Sequence, residues 1–194
     1  MKKILLALMT VAMALPAAAA LKEGDAAPDF EARASLAGKA FNYSLKASLR
    51  KGPVVVYFYP SAYTNGCNLQ AHTFSVALDK FAAAGASVIG VSLDSINRLN
   101  DFSADPDYCA GKLAVASDAD GKIARAFDLN VREAAAGRKD TRGVDIDHGS
   151  IERVTYVVTP DGKVAATIGG VAPVANVEKA LETVQRLAAS RSAR

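Results

Sequence analysis

Pro53-Val54-Val55-Val56-Tyr57-Phe58-Tyr59-Pro60-Ser61-Ala62-Tyr63-Thr64-Asn65-Gly66-Cys67 is the stretch that decides the fold. Its first seven residues form a nearly continuous β-branched and aromatic run, the pattern of a strand buried on both faces of a sheet. Pro60 ends that run, having no N–H to give to a ladder. From Cys67 to Ala84 the apolar positions take helical spacing, with Phe74, Leu78 and Phe81 on one face and Gly85 as the stop. A central buried strand, a tight loop and a helix therefore place Cys67 at or near a helix start. In open α/β sheets ligands bind beyond the carboxyl ends of the strands, which is where this loop lies.

Upstream, Phe30 to Leu45 reads as a hairpin with Ala37-Gly38-Lys39 at its turn. Downstream, Ser87 to Leu93 is a second buried strand, followed by a short helix around Ser95 to Phe102. Lys112 to Ser117 is a third strand and Lys122 to Phe127 a short helical piece. Glu133 to Ser150, with three glycines and many charges, reads as a long solvated loop. Arg153 to Thr159 and Lys163 to Ile168 are strands joined at Pro160-Asp161-Gly162. The chain closes with a helix from Val174 to Ala188, whose Val174, Val177, Leu181, Val184 and Ala188 make one apolar stripe. The order β-α-β, then β-β-α, is the thioredoxin arrangement. The expected architecture is α/β, a central mixed sheet flanked by helices, with an N-terminal hairpin added.

Over its 194 residues the chain is 51% hydrophobic and 22% charged, a globular balance rather than a disordered one. Lys2-Lys3, the apolar run Ile4–Leu15 and Pro16 before four alanines have the layout of a secretory signal peptide cut after Ala20. That run is shorter than the ~20 residues a spanning helix needs, so no membrane association is expected after cleavage. Residues 21–194 are then a single domain, periplasmic or secreted. Losing residues 1–20 lowers the net charge from +3 to +1. A charge that small, with scattered basic residues, carries no nucleic-acid footprint.

Cys67 and Cys109 are the only cysteines, too few for a disulfide scaffold and without a CxxC pair. A helix start offers Cys67 a partial positive charge and free N–H groups, both of which favour the reactive thiolate. Thr64 can aim a hydroxyl into the same pocket, or cap the helix. Arg153, opening its strand, is the best candidate for a nearby cation.

These residues resemble a known family. Pro60-x-x-x-Thr64-x-x-Cys67 is similar to the active-site motif of peroxiredoxins, and Gly24-x-x-Ala27-Pro28-Asp29-Phe30 to their N-terminal signature. Tyr57-Phe58-Tyr59-Pro60, Gly66-Cys67, Val88-Ile89-Gly90-Val91-Ser92 and Ser117-Asp118-x-x-Gly121 are similar to the peroxiredoxin Q (bacterioferritin comigratory protein) branch. Arg153-x-Thr155-Tyr156 looks like the second active-site segment. The resemblance implies a thiol peroxidase acting on hydrogen peroxide or organic hydroperoxides, without metal or organic cofactor. Cys67 would become a sulfenic acid, Thr64 would bind the peroxide, and Arg153 would stabilise thiolate and oxygens. Pro60 would shield the sulfur, and the Cys67 N–H would add a donor. A thioredoxin-like or other thiol would be the reductant, exported if the signal operates, and the protein would be a monomer.

Three positions depart from that pattern. Asn65 stands where proline is frequent, Gln70 where glutamate is usual, and His72 where many members carry the resolving cysteine. Cys109 is the remaining resolving candidate, on the segment after the second strand, and a Cys67–Cys109 bond would need the two Cα atoms within ~7 Å. Read without the resemblance, the two cysteines could also form one static disulfide. Alternatively, Cys67, His72, Cys109 and His148 could converge as a soft metal site, making an exported metal-binding or thiol-disulfide protein of this fold.

Overall fold

The computed structural model describes residues 20–192. The signal-peptide reading falls on residues outside that range, except Ala20. Strands β1 (Glu31–Leu36) and β2 (Lys39–Ser44) form the expected hairpin. Ala37 and Gly38 turn it at φ +50° and +78°, the left-handed pair whose twist matches the strands. A five-residue helix, α1 (Leu45–Leu49), follows, which the sequence reading did not separate from the hairpin. Its cap is Ser44, whose hydroxyl accepts from the Ala47 N–H.

The remaining elements are β3 (Val54–Phe58), α2 (Asn65–Ala83), β4 (Ser87–Ser92), α3 (Ile96–Ala104), β5 (Ala114–Ser117) and α4 (Lys122–Ala126). Then come β6 (Val131–Arg132), β7 (Ser150–Ile151), β8 (Val154–Val158), β9 (Val164–Gly169) and α5 (Pro173–Ser192). Seven strands make one mixed sheet in the order β2-β1-β5-β4-β3-β8-β9. Within it β3, β4 and β5 are parallel, while β8 runs antiparallel to β3. This is the thioredoxin-like architecture with its hairpin extension. Among the described residues no helix is long and apolar enough to cross a membrane.

The two-sided burial of β3 divides the core. Val55 and Tyr57 pack with Phe74 and Phe81 of α2, Phe102 of α3 and Val177 of α5. Val54, Val56 and Phe58 face the other layer, with Leu45, Leu49, Phe127 and Tyr156. Each such side chain contributes about 1.5–3 kcal/mol on leaving water. Gly90 of β4 is fixed by this packing, since a Cβ there would stand 2.5 Å from the Tyr57 ring.

Two facts of topology place the site. The carboxyl end of β3 feeds straight into the loop before α2. Antiparallel pairing sets Phe58 opposite Val154, so Arg153, 86 residues beyond Cys67 in the chain, arrives at that same end.

Candidate active site

Cys67 lies in the first turn of α2 and is 2% exposed. The Arg153 guanidinium donates from Nη2 to its Sγ at 3.3 Å. The positive helix end and a guanidinium N–H therefore both face the sulfur. Arg153 Nη1 donates in turn to Gln70 Oε1. Gln70 Nε2 donates to Asn176 Oδ1 at 2.9 Å, which also receives the Thr155 hydroxyl at 2.6 Å. Asn176 Nδ2 closes the chain on the Ile168 carbonyl at 3.0 Å. Gln70, Thr155 and Asn176 are all fully buried, so each needs these partners.

That relay explains glutamine at position 70. Because Asn176 presents its oxygen, the neighbour must donate on one side and accept from Arg153 on the other. An amide does both, whereas a carboxylate only accepts. Among the described residues no carboxylate pairs with Arg153, so its charge is left for the sulfur.

Thr64 occupies the N-cap position of α2, yet its side chain makes no capping bond. Its hydroxyl donates to the Ser61 carbonyl at 2.9 Å, which turns the oxygen's lone pairs outward as acceptors. The Cys67 N–H, expected as a spare donor, instead bonds the Thr64 carbonyl at 2.9 Å. The tight i→i+3 bond closing the first helical turn takes it up. Pro60 and Arg153 line a cavity of about 540 Å³ with Ile151, Arg132 and Arg138.

Cys109 sits beyond the end of α3, in the turns before β5, and is fully buried in the same core cluster as Cys67. Both thiols are free in this structure. Burial and the Asp105 carboxylate push the Cys109 thiol up. His72 is exposed and its Nδ1 contacts the Asp107 carbonyl at 3.0 Å, tying the Cys109 turn to α2. Among the described residues no three His, Cys, Asp or Glu side chains are grouped to hold a metal ion, which argues against the soft-metal alternative.

Residues 133–150 form the expected loop and are mostly exposed, with exceptions at a few positions. The β6–β7 ribbon pinches their ends together, and Asp140 and Ile146 turn inward. His148, named above as a possible metal ligand, is instead 2.8 Å from Asp94 Oδ1 through Nε2. Asp94, fully buried just after β4, also accepts from the Ala62 N–H and from Arg98 Nε. Burial would raise its carboxyl, but the hydrogen bond and charge of His148, with Ser92 and Ala62, hold it below the ordinary range. Sequence gave one signal of this: a charged residue at the carboxyl end of an apolar strand.

Comparison with known proteins completes the assignment. The AhpC/TSA family model matches residues 23–167, a span that includes Thr64, Cys67 and Arg153. The chain belongs to the AhpC/TSA family. It is a peroxiredoxin, a thiol-dependent peroxidase of the peroxiredoxin Q kind. Peroxiredoxin Bcp of Xanthomonas campestris is 34% identical over 111 residues, covering 57% of this chain and 62% of that protein. The crystal structure of peroxidoxin BcpB from Mycobacterium tuberculosis has a TM-score of 0.72 and 29% identity, over 86% of this peroxiredoxin and 98% of that chain. Structures of the Xanthomonas campestris bacterioferritin comigratory protein, described for alkyl peroxide reduction, have a TM-score of 0.64 and 29% identity. They cover 80% of this chain and 91% of theirs.

Proposed function

We propose that this peroxiredoxin is exported and reduces hydrogen peroxide or organic hydroperoxides at Cys67, with Cys109 as resolving thiol. The observation that carries the reading is the Arg153 Nη2–Cys67 Sγ contact of 3.3 Å at the start of α2. The thiolate attacks the terminal peroxide oxygen, the O–O bond breaks, and the sulfur leaves as sulfenic acid while the departing alkoxide or hydroxide takes a proton. Thr64 accepts the peroxide O–H, and Arg153 stabilises both sulfur and departing oxygen. Pro60 limits water at the sulfur.

The Cys109 thiol then displaces water from the sulfenic acid, forming the Cys67–Cys109 disulfide. Two electrons from a thioredoxin-like dithiol in the same compartment reopen it. Placement of both sulfurs in one core cluster supports this pairing, and the burial of each means the first turn of α2 must open for it. The alkyl peroxide activity described for the Xanthomonas campestris relative supports organic substrates. The leader of residues 1–20 supports export. A monomer needs no further chain to complete the site.

Intact mass after one equivalent of hydrogen peroxide tests the cycle. Loss of two hydrogens in the wild type, absent from Cys67→Ser and Cys109→Ser, is the expected result. One added oxygen on Cys67, unaffected by Cys109→Ser, means an outside thiol resolves it. No change in confirmed reduced protein removes the peroxidase reading of this site.

A further inference from the structure

We infer that residues 139–148 form a strap whose side chains are positioning residues for the Cys67 loop, holding it closed for peroxide and having to release it before Cys109 is reached. The inference rests on the proposed Cys109 resolution for its second half only.

The three residues before Thr64 are each held from outside their own loop. Ser61 Oγ meets Asp94 Oδ1 at 3.1 Å. The Ala62 N–H donates to Asp94 Oδ2 at 2.8 Å, and its carbonyl accepts from Arg98 Nη2 at 3.0 Å. The Tyr63 carbonyl accepts both the N–H and the hydroxyl of Thr141, at 2.9 Å each. Tyr63 has φ +60°, a conformation that a bulky side chain adopts only where its surroundings impose it.

Those surroundings are the strap. The Arg142 guanidinium lies 3.2 Å from the Tyr63 ring centroid. Asp140, its side chain fully buried, binds Arg142 Nη2 at 2.9 Å and Arg98 Nη2 at 2.8 Å, while Arg98 Nε reaches Asp94 at 2.9 Å. Arg98 thus joins strap and loop into one charged network. The Tyr63 ring also packs edge-on against Phe102 at 5.0 Å and Tyr108 at 5.8 Å. Tyr108 neighbours Cys109 in sequence, so the residue the strap clamps also packs against the turn that carries the proposed resolving thiol. None of these strap groups touches Cys67 or Arg153 by hydrogen bond, so their effect passes through Tyr63 and Ala62.

The strap should therefore move two rates in opposite directions. Arg142→Ala removes the stacked cation and Thr141→Val one of the two donors to Tyr63. In reduced Cys67→Ser protein, a soluble maleimide should label Cys109 faster with either change, about five- to tenfold for Arg142→Ala, the scale of one lost guanidinium stack. With Cys67 present, sulfenic acid formation from hydrogen peroxide should slow severalfold while disulfide closure speeds up. Unchanged labelling in both variants overturns the inference, as does slowing of both chemical steps together, which marks general damage. If one variant fails to fold, Arg142→Lys, which keeps the charge on Asp140 but not the planar stack, gives the same reading. Faster Cys109 labelling in a protein whose wild type forms no disulfide keeps the positioning role and discards Cys109 as the resolving thiol, so the two failures are distinct.

Discussion

Replacing Arg153 tests the central electrostatic claim. At 3.3 Å and an effective dielectric of about 20, a guanidinium and an anionic sulfur attract by about 5 kcal/mol. Arg153 is partly exposed, and solvent screening leaves roughly half of that. About 2–3 kcal/mol corresponds to roughly a hundredfold in rate. Arg153→Met should therefore lower kcat/KM for hydrogen peroxide by about that factor. Arg153→Lys should lose about tenfold, because one ammonium keeps the charge but cannot span Gln70 Oε1 and Cys67 Sγ as the fork does. Stopped-flow measurement of the first turnover, with each variant shown folded by its near-ultraviolet circular dichroism, separates chemistry from damage. A methionine variant within threefold of wild type would refute the reasoning. A lysine variant no better than methionine would show that geometry, not charge, is what Arg153 supplies.

Further expectations follow from the same network. Gln70→Glu adds a carboxylate beside Arg153 and sets two acceptors face to face at Asn176, so peroxide reduction should slow about tenfold; an equal or faster rate would contradict the charge argument. Burial would depress the His148 imidazole, but the Asp94 hydrogen bond and charge outweigh it and raise it above 6.5. Its stabilising contribution is therefore complete below that value and lost as pH rises through the folded-state pKa. Denaturant midpoints at about pH 5.5 and about pH 8.5 should fall more in wild type than in His148→Gln, and equal slopes would refute the pairing. The Tyr57 hydroxyl is buried without a partner, so Tyr57→Phe should leave stability unchanged or raise it by up to about 1 kcal/mol. Tyr156→Phe, which deletes a bond to the Phe127 carbonyl, should lose about 1 kcal/mol in the same urea titration.

The parts legible in the sequence are those set by local chemistry. The apolar run of β3, the helical spacing after Cys67 and the turn at Ala37-Gly38 need only neighbours a few residues away, and the structure has all three. Thr64 and Cys67 were legible too, since three residues of spacing fix them on one loop and one helical turn. Arg153 was a guess of position until the antiparallel register of β8 on β3 brought it to the sulfur. Gln70 and Asn176 lie 106 residues apart, and no periodicity announces a side-chain relay between two helices.

Residues 133–150 show the limit most clearly. Their composition, rich in glycine and charge, is that of a solvated loop, and charge in a sequence does not say whether it faces water or an opposite charge. Arg98 and Asp94, respectively 42 and 54 residues earlier in the chain, turn Asp140 into a buried partner and His148 into a partly buried one. Sequence alone determined the α/β order and the loop that carries Cys67 to a helix start, because backbone propensity and burial act locally. The tertiary structure alone decided what surrounds that cysteine, because hydrogen bonds and ion pairs act through space between residues the chain keeps far apart.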